Sequence, residues 1–238
     1  MAQTAQVTVI AHMESDFPTK FGIPRQSGLV EQLRGKVVFE PEYRSPEALR
    51  GLEGFSHLWL IWEFSQARRG EWSPTVRPPR LGGNRRMGVF ATRSPFRPSP
   101  IGLSCVELKG IDLHTPQGPV IYVAGADLMD GTPIFDIKPY VPYADCHPQA
   151  LGGFAPAAQG PVLAVDIPPR LLERVPPDKR EALAGVLAQD PRPSYQEDPE
   201  RMYGMAFAGL EVRFQVVEGQ LTVCSIECQK KENTVHPG

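Results

Sequence analysis

The chain has 238 residues, 41% of them hydrophobic and 22% charged, with a formal net charge of −2. This length supports one sizeable core, or a main domain with a small appendage, and the near-neutral balance excludes a bulk polycation. No run of about 18 apolar residues occurs, which argues against a membrane-spanning helix, and the N-terminus shows no basic-then-apolar leader.

With 26 prolines and 22 glycines, many short elements are expected in place of long helices. Val7–His12 (VTVIAH) reads as a strand. A polar, Gly/Pro-rich segment, ESDFPTKFGIPRQSGL, follows. Val37–Phe39 reads as a second strand. In SPEALRGL, Ser45 suits an N-cap, Pro46 the first helical position and Glu47 the first turn, with Gly51 and Gly54 ending the helix. His57–Phe64 (HLWLIWEF) is apolar on both faces and reads as a central buried strand. Residues 88–91 and 103–109 read as strands flanking the proline-rich stretch SPFRPSP, expected as a stiff exposed loop. Val120–Ala124 and IFDIKPYVPY complete a set of short strands that predicts a closed β-barrel or sandwich over the first 150 or so residues.

LGGFAPAAQGP then reads as a linker. A helix is predicted near Asp178–Gln189, with Leu183, Val186 and Leu187 on one face. MAFAGLEVRFQVVEGQLTVCSIEC reads as a hairpin around Glu218-Gly219. The expected organisation is mainly β: a barrel domain over 1–155 and a small C-terminal α/β domain over 160–238.

Cysteine is sparse: Cys105, Cys146, Cys224 and Cys228. Four thiols are too few for a disulfide scaffold, which suits the cytoplasm. Cys224 and Cys228 are expected on one strand face as small buried residues. Cys146-His147 reads as a loop pair, and no metal site is expected.

Charge is segregated. From Trp72 to Val106 there is no Asp or Glu, while Arg77, Arg80, Arg85, Arg86, Arg93 and Arg97 lie within that stretch and Arg68 and Arg69 precede it. Arginine forks suit bidentate recognition of phosphate or carboxylate. Such a basic face on a near-neutral chain points to RNA or a phosphorylated ligand. AQDPRPSY supplies an Asp carboxylate, backbone carbonyls beside its prolines and a Tyr ring that could grip a base. In DLMDGTPIFDIKPY, Asp127, Asp130 and Asp136 cluster near a turn, suited to a ribose or a cation such as a sulfonium. In IPRQSG, Arg25 offers a carboxylate clamp beside Gln26. No GxGxxG follows a strand, and P-loop, GxSxG and HExxH patterns are absent, so no Rossmann nucleotide site is supported.

Together PRQSGL, GFSHLWLIWEF, RPPRLGGNRRMGVFATRSPFRPSPIGLS, DLMDGTPIFDIKPYVPYAD and AQDPRPSY resemble the TrmO (TsaA-like) family of S-adenosylmethionine-dependent tRNA methyltransferases. The resemblance implies a β-barrel methyltransferase fold, not a Rossmann one, and a homodimer with cofactor near the subunit interface. The implied reaction is N6-methylation of N6-threonylcarbamoyladenosine at position 37, in the anticodon loop of threonine tRNA. It implies cofactor contacts from Arg25, Gln26, Ser27, Ser65, Gln66, Arg93, Leu103, Asp127, Leu128, Met129 and Asp130. Asp190, Arg192 and Tyr195 are implied at the modified base, with Asp190 as the proton acceptor. Arg85, Arg86, Arg97 and Lys138 are the expected substrate-binding cations. Two positions depart from the family pattern: Ser99 stands where Asn is common, and Ser65 where His is frequent. A cofactor-binding RNA sensor without turnover and a small-metabolite methyltransferase are the alternative readings.

Overall fold

A computed structural model describes residues 4–67, 72–78, 85–155, 162–193 and 198–229. The first strands are β1 (Ala11–Glu14), β2 (Arg34–Phe39), β3 (His57–Glu63), β4 (Thr75–Val76) and β5 (Met87–Gly88). They are followed by β6 (Ile101–Thr115), β7 (Gly118–Ala124) and β8 (Pro133–Pro139). Six of these close into a barrel in the order β1-β2-β7-β6-β3-β8, and β4 pairs with β5 alone. Every barrel pairing is antiparallel, so this is the predicted β-barrel and not a doubly wound parallel sheet.

Alternation along each strand sends one set of side chains inward. Met13, Val37, Leu58, Leu60, Trp62, Val106, Ile121 and Ile134 meet there as the barrel core. β3 pairs with β6 and β8, as every strand of a closed barrel has two neighbours. Leu58, Leu60 and Trp62 are buried in the core, but His57 is exposed and Trp59 and Ile61 are half-buried on the other face. β3 is therefore not buried on both faces as its two-sided apolar sequence predicts.

Three elements differ from expectation. The first strand begins at Ala11, not Val7. Antiparallel pairing with β2 runs from Glu14 opposite Lys36 to Ala11 opposite Phe39. Beyond Phe39 the chain turns into a 3-10 helix starting at Pro41, so residues 7–9 have no β2 partner, and Val7 is 58% exposed. The helix at SPEALRGL is a single 3-10 turn, Pro46–Leu49, and Ser45 makes no side-chain cap bond. The strand expected at 88–91 ends at Gly88, and Val89–Ala91 is a 3-10 turn.

The rest of the chain adds α1 (Pro142–Asp145), β9 (Ala164–Asp166), α2 (Pro169–Leu172), α3 (Arg180–Ala188), β10 (Tyr203–Phe207), β11 (Leu210–Val217) and β12 (Gln220–Cys228). The second sheet has the order β10-β11-β12-β9. It contains two hairpins where one was expected. Ala208-Gly209 and Glu218-Gly219 both have positive φ at both positions, the conformation that two-residue type I′ turns require. The cysteine expectation fails here: Cys224 and Cys228 are both exposed. Phe214 faces Val223 while Arg213 faces Ser225, so Cys224 is the extra residue of a bulge, and the inward alternation changes phase there.

In this second unit, Leu183, Val186 and Leu187 of α3 pack against Phe207, Val212, Phe214 and Leu221. Phe17, Val30 and Leu33 enter the same core from the β1–β2 connection. The Phe17 ring meets Phe207 edge-on at 5.4 Å, and Lys179 pairs with Asp16 at 2.7 Å. Gly22 has φ +93°, and a Cβ there would lie 2.2 Å from the Met205 sulfur. The β1–β2 connection therefore belongs to both cores.

Phe17 is 1% exposed, so Phe17→Ala is expected to cost about 3–5 kcal/mol by lost burial and a residual cavity. Denaturant unfolding checks this, with Leu29→Ala, at a 42%-exposed site, expected to change stability by less than about 0.5 kcal/mol.

Candidate active site

A cleft of ≈ 830 Å³ opens at the end of the barrel where β3 ends and β6 begins. Its walls come from PRQSG, the end of β3 with Ser65–Ala67, the loop 92–97, the start of β6 and the DLMD turn.

Each wall is fixed by local bonds. In PRQSG, the Ser27 hydroxyl accepts from the Cys105 N–H at 3.1 Å. The Gly28 N–H donates to the Gly125 carbonyl at 2.8 Å. Gly125 has φ +72°, and a Cβ there would lie 3.3 Å from the Gly28 backbone, so two glycines permit this crossing. Arg25 and Gln26 are thereby presented over the cleft. The Gln26 side-chain oxygen accepts from the Arg93 guanidinium.

The proline-rich loop braces itself. Arg97 donates to the Thr92 carbonyl at 2.6 Å and to the Val89 carbonyl at 3.3 Å. Thr92 Oγ1 donates to the Val89 carbonyl at 2.9 Å. The fork of Arg97 thus staples its own loop while the residue also lines the cleft.

On the barrel floor, the Trp62 indole N–H donates to Ser104 Oγ at 2.9 Å. The Ser104 hydroxyl donates to Asp127 Oδ1 at 2.5 Å. Ser104 is 1% exposed. A Cβ at Gly102 would meet the Trp62 ring at 2.3 Å, so only glycine lets the indole lie against β6. Burial pushes the Asp127 carboxyl above the usual carboxylate range, while the Ser104 hydrogen bond and the Arg93 charge pull it down.

Of the anticipated cofactor residues, Arg25, Gln26, Ser65, Gln66, Arg93, Leu103, Asp127 and Met129 line this one cleft. Ser27, Leu128 and Asp130 hold its walls instead. The Leu128 side chain is 1% exposed within the barrel core, and the Asp130 carboxylate accepts from the Ser15 N–H at 2.9 Å. Among the anticipated substrate cations, Arg97 lines the cleft, whereas Arg85 and Arg86 are exposed outside its lining. Lys138 is on β8, paired with Asp136 at 2.8 Å, also outside the lining. Asp190 and Arg192 form a two-pronged fork in the second unit, at 2.8 Å and 3.0 Å. Tyr195, Arg68, Arg69 and Arg80 lie outside the described residues.

Sequence reasoning missed Lys20, Trp62, Glu63, Phe64, Phe96 and Thr132 as lining residues. It also missed Ser104 beneath them. A signal for Ser104 existed: alternation places it inward with Gly102 and Val106, a hydroxyl on an otherwise apolar face.

The family model described as the tRNA-methyltransferase O N-terminal domain matches residues 12–146. The TrmO C-terminal domain matches residues 165–229. The chain belongs to the tRNA-methyltransferase O family. It is accordingly an enzyme. A relative from Escherichia coli K12, named tRNA (adenine(37)-N6)-methyltransferase, is 42% identical over 93% of this chain and 97% of its own. A Pseudomonas aeruginosa relative, named "Putative S-adenosylmethionine-dependent methyltransferase RcsF", is 42% identical over 89% of this chain and 92% of its own. The crystal structure of TrmO from Pseudomonas aeruginosa superposes with a TM-score of 0.77 at 36% identity, covering 96% of this chain and 99% of that one. This family member therefore has both TrmO domains matched and a barrel-end cleft carrying opposite charges.

Ser104→Ala removes the hydroxyl bond that lowers the Asp127 carboxyl and should raise it further. The native state then holds this proton to higher pH than the unfolded chain does. Stability falls as pH rises from the unfolded carboxylate value, about 3.9, to the raised native value, and the variant should extend that fall upward. Carboxyl-carbon NMR titration of Asp127 with pH-dependent unfolding checks the direction.

Proposed function

We propose that this enzyme transfers the methyl group of S-adenosylmethionine to N6 of N6-threonylcarbamoyladenosine at position 37 of threonine tRNA, in the cytoplasm, as a homodimer. The observation that carries the reading is the cleft's charge arrangement: Arg25 and Arg93 beside Asp127, in a space of ≈ 830 Å³. Two guanidinium forks suit a carboxylate, and a carboxylate suits an ammonium or sulfonium. The volume lies in the range of small-molecule sites, about 300–1,000 Å³. The residues present therefore fit an amino-acid sulfonium.

When bound, S-adenosylmethionine supplies an already activated methyl group, so the protein's contribution is positioning and electrostatics. Arg25 clamps the amino-acid carboxylate. Arg93, held by Gln26, adds a second cation at a fixed place. Asp127, aimed by Ser104, complements the cofactor's positive groups, and Ser65 and Gln66 serve the polar edge of the nucleoside. Leu128 and Asp130 act through the turn they build, whose backbone carries Asp127 and Met129.

The Asp190–Arg192 fork, with Tyr195, is proposed to grip the modified base from the small domain over 160–238. Both Asp190 oxygens are engaged by Arg192. Asp190 Oδ2 accepts one hydrogen bond from this fork and keeps a further lone pair, on which Asp190 is proposed to accept the N6 proton. In the adduct this N–H adjoins a carbonyl and is more acidic than in adenine, so a modest acceptor suffices. Arg85, Arg86 and Lys138 are proposed to meet the RNA outside the cleft. Support for the dimer comes from the cleft's rim, where Ile101 and Leu103 are 43% and 53% exposed. Among the described residues no helix is long and apolar enough to cross a membrane, and no group of three metal-ligating side chains converges.

The reading is tested by transfer of a labelled methyl group to two threonine tRNAs, one carrying the threonylcarbamoyl group at position 37 and one unmodified. Label in the modified tRNA alone supports it; label in neither overturns it. Arg25→Ala should weaken cofactor binding about 10- to 100-fold, as loss of a charge-assisted hydrogen bond does, measured by calorimetry.

A further inference from the structure

Trp72 and Phe90 belong to neither core. They are 53% and 72% exposed, yet they are not scattered single residues. Strand β4 brings them together by pairing Thr75 with Gly88 and Val76 with Met87 on β5. The Val89 N–H then donates to the Pro74 carbonyl at 2.9 Å. The two rings end with centroids 6.3 Å apart and planes at 33°. A backbone ladder thus holds a pair of aromatic faces open to solvent.

The surrounding chemistry favours one kind of occupant. No acidic residue occurs between Trp72 and Val106, and Arg77, Arg85 and Arg86 are exposed in the same stretch. The Arg97 guanidinium lies 5.8 Å from the Phe90 ring centroid. Arg97 also lines the cleft, so one side chain joins the aromatic pair to the reaction space. Exposed rings and arginines from one acid-free stretch of sequence complement a splayed base and its phosphates. The basic setting does not favour another apolar protein surface, which would gain nothing from the surrounding cations.

We propose that Trp72 and Phe90 form a stacking platform for an unpaired nucleobase next to the one that enters the cleft, with Arg77, Arg85 and Arg86 on the adjoining phosphates. The proposal rests on the reading of the cleft as a tRNA-methylating site. Arg97 packs on Phe90 and braces loop 92–97, so an occupied platform also steadies the wall that carries Arg93.

The test measures binding of an anticodon stem-loop RNA by the full-length protein, with cofactor affinity and sedimentation in parallel. Trp72→Ala and Phe90→Ala should each weaken RNA binding about 5- to 150-fold, the range for removing one stacked ring. Trp72→Phe and Phe90→Tyr should stay near wild type. Cofactor affinity of Trp72→Ala should be unchanged. The salt dependence of binding should keep its slope in the alanine variants and become shallower in Arg86→Ala, because only the latter removes a phosphate contact. Unchanged RNA affinity in both alanine variants, with wild type binding normally, overturns the platform. A shift of either variant to a smaller oligomer also overturns it, assigning the patch to a second copy of the chain. Wild-type protein that neither binds nor methylates the RNA removes the underlying functional reading, and the platform with it.

Discussion

The β1–β2 connection, residues 15–33, is the constraint on which the site depends. Its two ends are barrel strands, its middle is core of the second unit, and PRQSG lies between those anchors. Phe17 and Val30 are buried with α3 and β10, while Ser27 and Gly28 bond to β6 and to the residue after β7. Loop residues that carry function need a rigid scaffold beneath them. Here two scaffolds hold one loop, so the position of Arg25 is set by the packing of both units. The second unit consequently shapes the cleft without any of its own strands lining it.

The arginines divide by what their donors already hold. Arg97 is spent on carbonyls of its own loop, and Arg192 on Asp190. These two stiffen the segments that carry them. Arg25 and Arg93 stand over the cleft, and Arg77, Arg85 and Arg86 face outward. The acid-free stretch Trp72–Val106 thus supplies internal bracing through Arg97, a cation in the cleft lining through Arg93 and exposed cations through Arg77, Arg85 and Arg86. Opposing these cations inside the cleft is Asp127. Its burial holds the carboxyl above the usual carboxylate range, and the Ser104 hydrogen bond and the Arg93 charge counter only part of that.

Much of the fold was legible because the strands are short, strongly patterned and punctuated. The Glu218-Gly219 turn showed its hairpin, whereas the two-sided apolar pattern of β3 overstated its burial, because a closed barrel buries only the inward face. The misreadings have local causes. The VTVIAH pattern favours a strand over Val7–His12, but pairing with β2 begins only at Ala11 because β2 gives way to Pro41 beyond Phe39. Cys224 is exposed as the extra residue of a bulge, and Cys228 is exposed as the last residue of its strand, so two cysteines that count as buried by spacing are not. SPEALRGL carries helix-start residues but too few positions before Gly51 for more than one turn. For the site, motif resemblance picked out Arg25, Gln26, Arg93 and Asp127, which the barrel gathers into one cleft. It also picked out Leu128 and Asp130, whose side chains build the turn.

By itself the sequence determined the mainly β class, the missing nucleotide-binding glycine pattern, the segregation of arginine and the membership of its motifs in one family. These are properties of composition, period and local spacing, and they need no knowledge of neighbours. Tertiary structure alone decided which arginines are engaged by their own backbone. It also decided that Ser104 links Trp62 to Asp127 across two strands, and that Trp72 and Phe90 meet as a pair. Each of these depends on strand register, which brings together residues far apart in the chain. A one-residue slip would turn Ser104 from the barrel floor to the outer surface, and no local pattern in GLSCVE records which partner it will face.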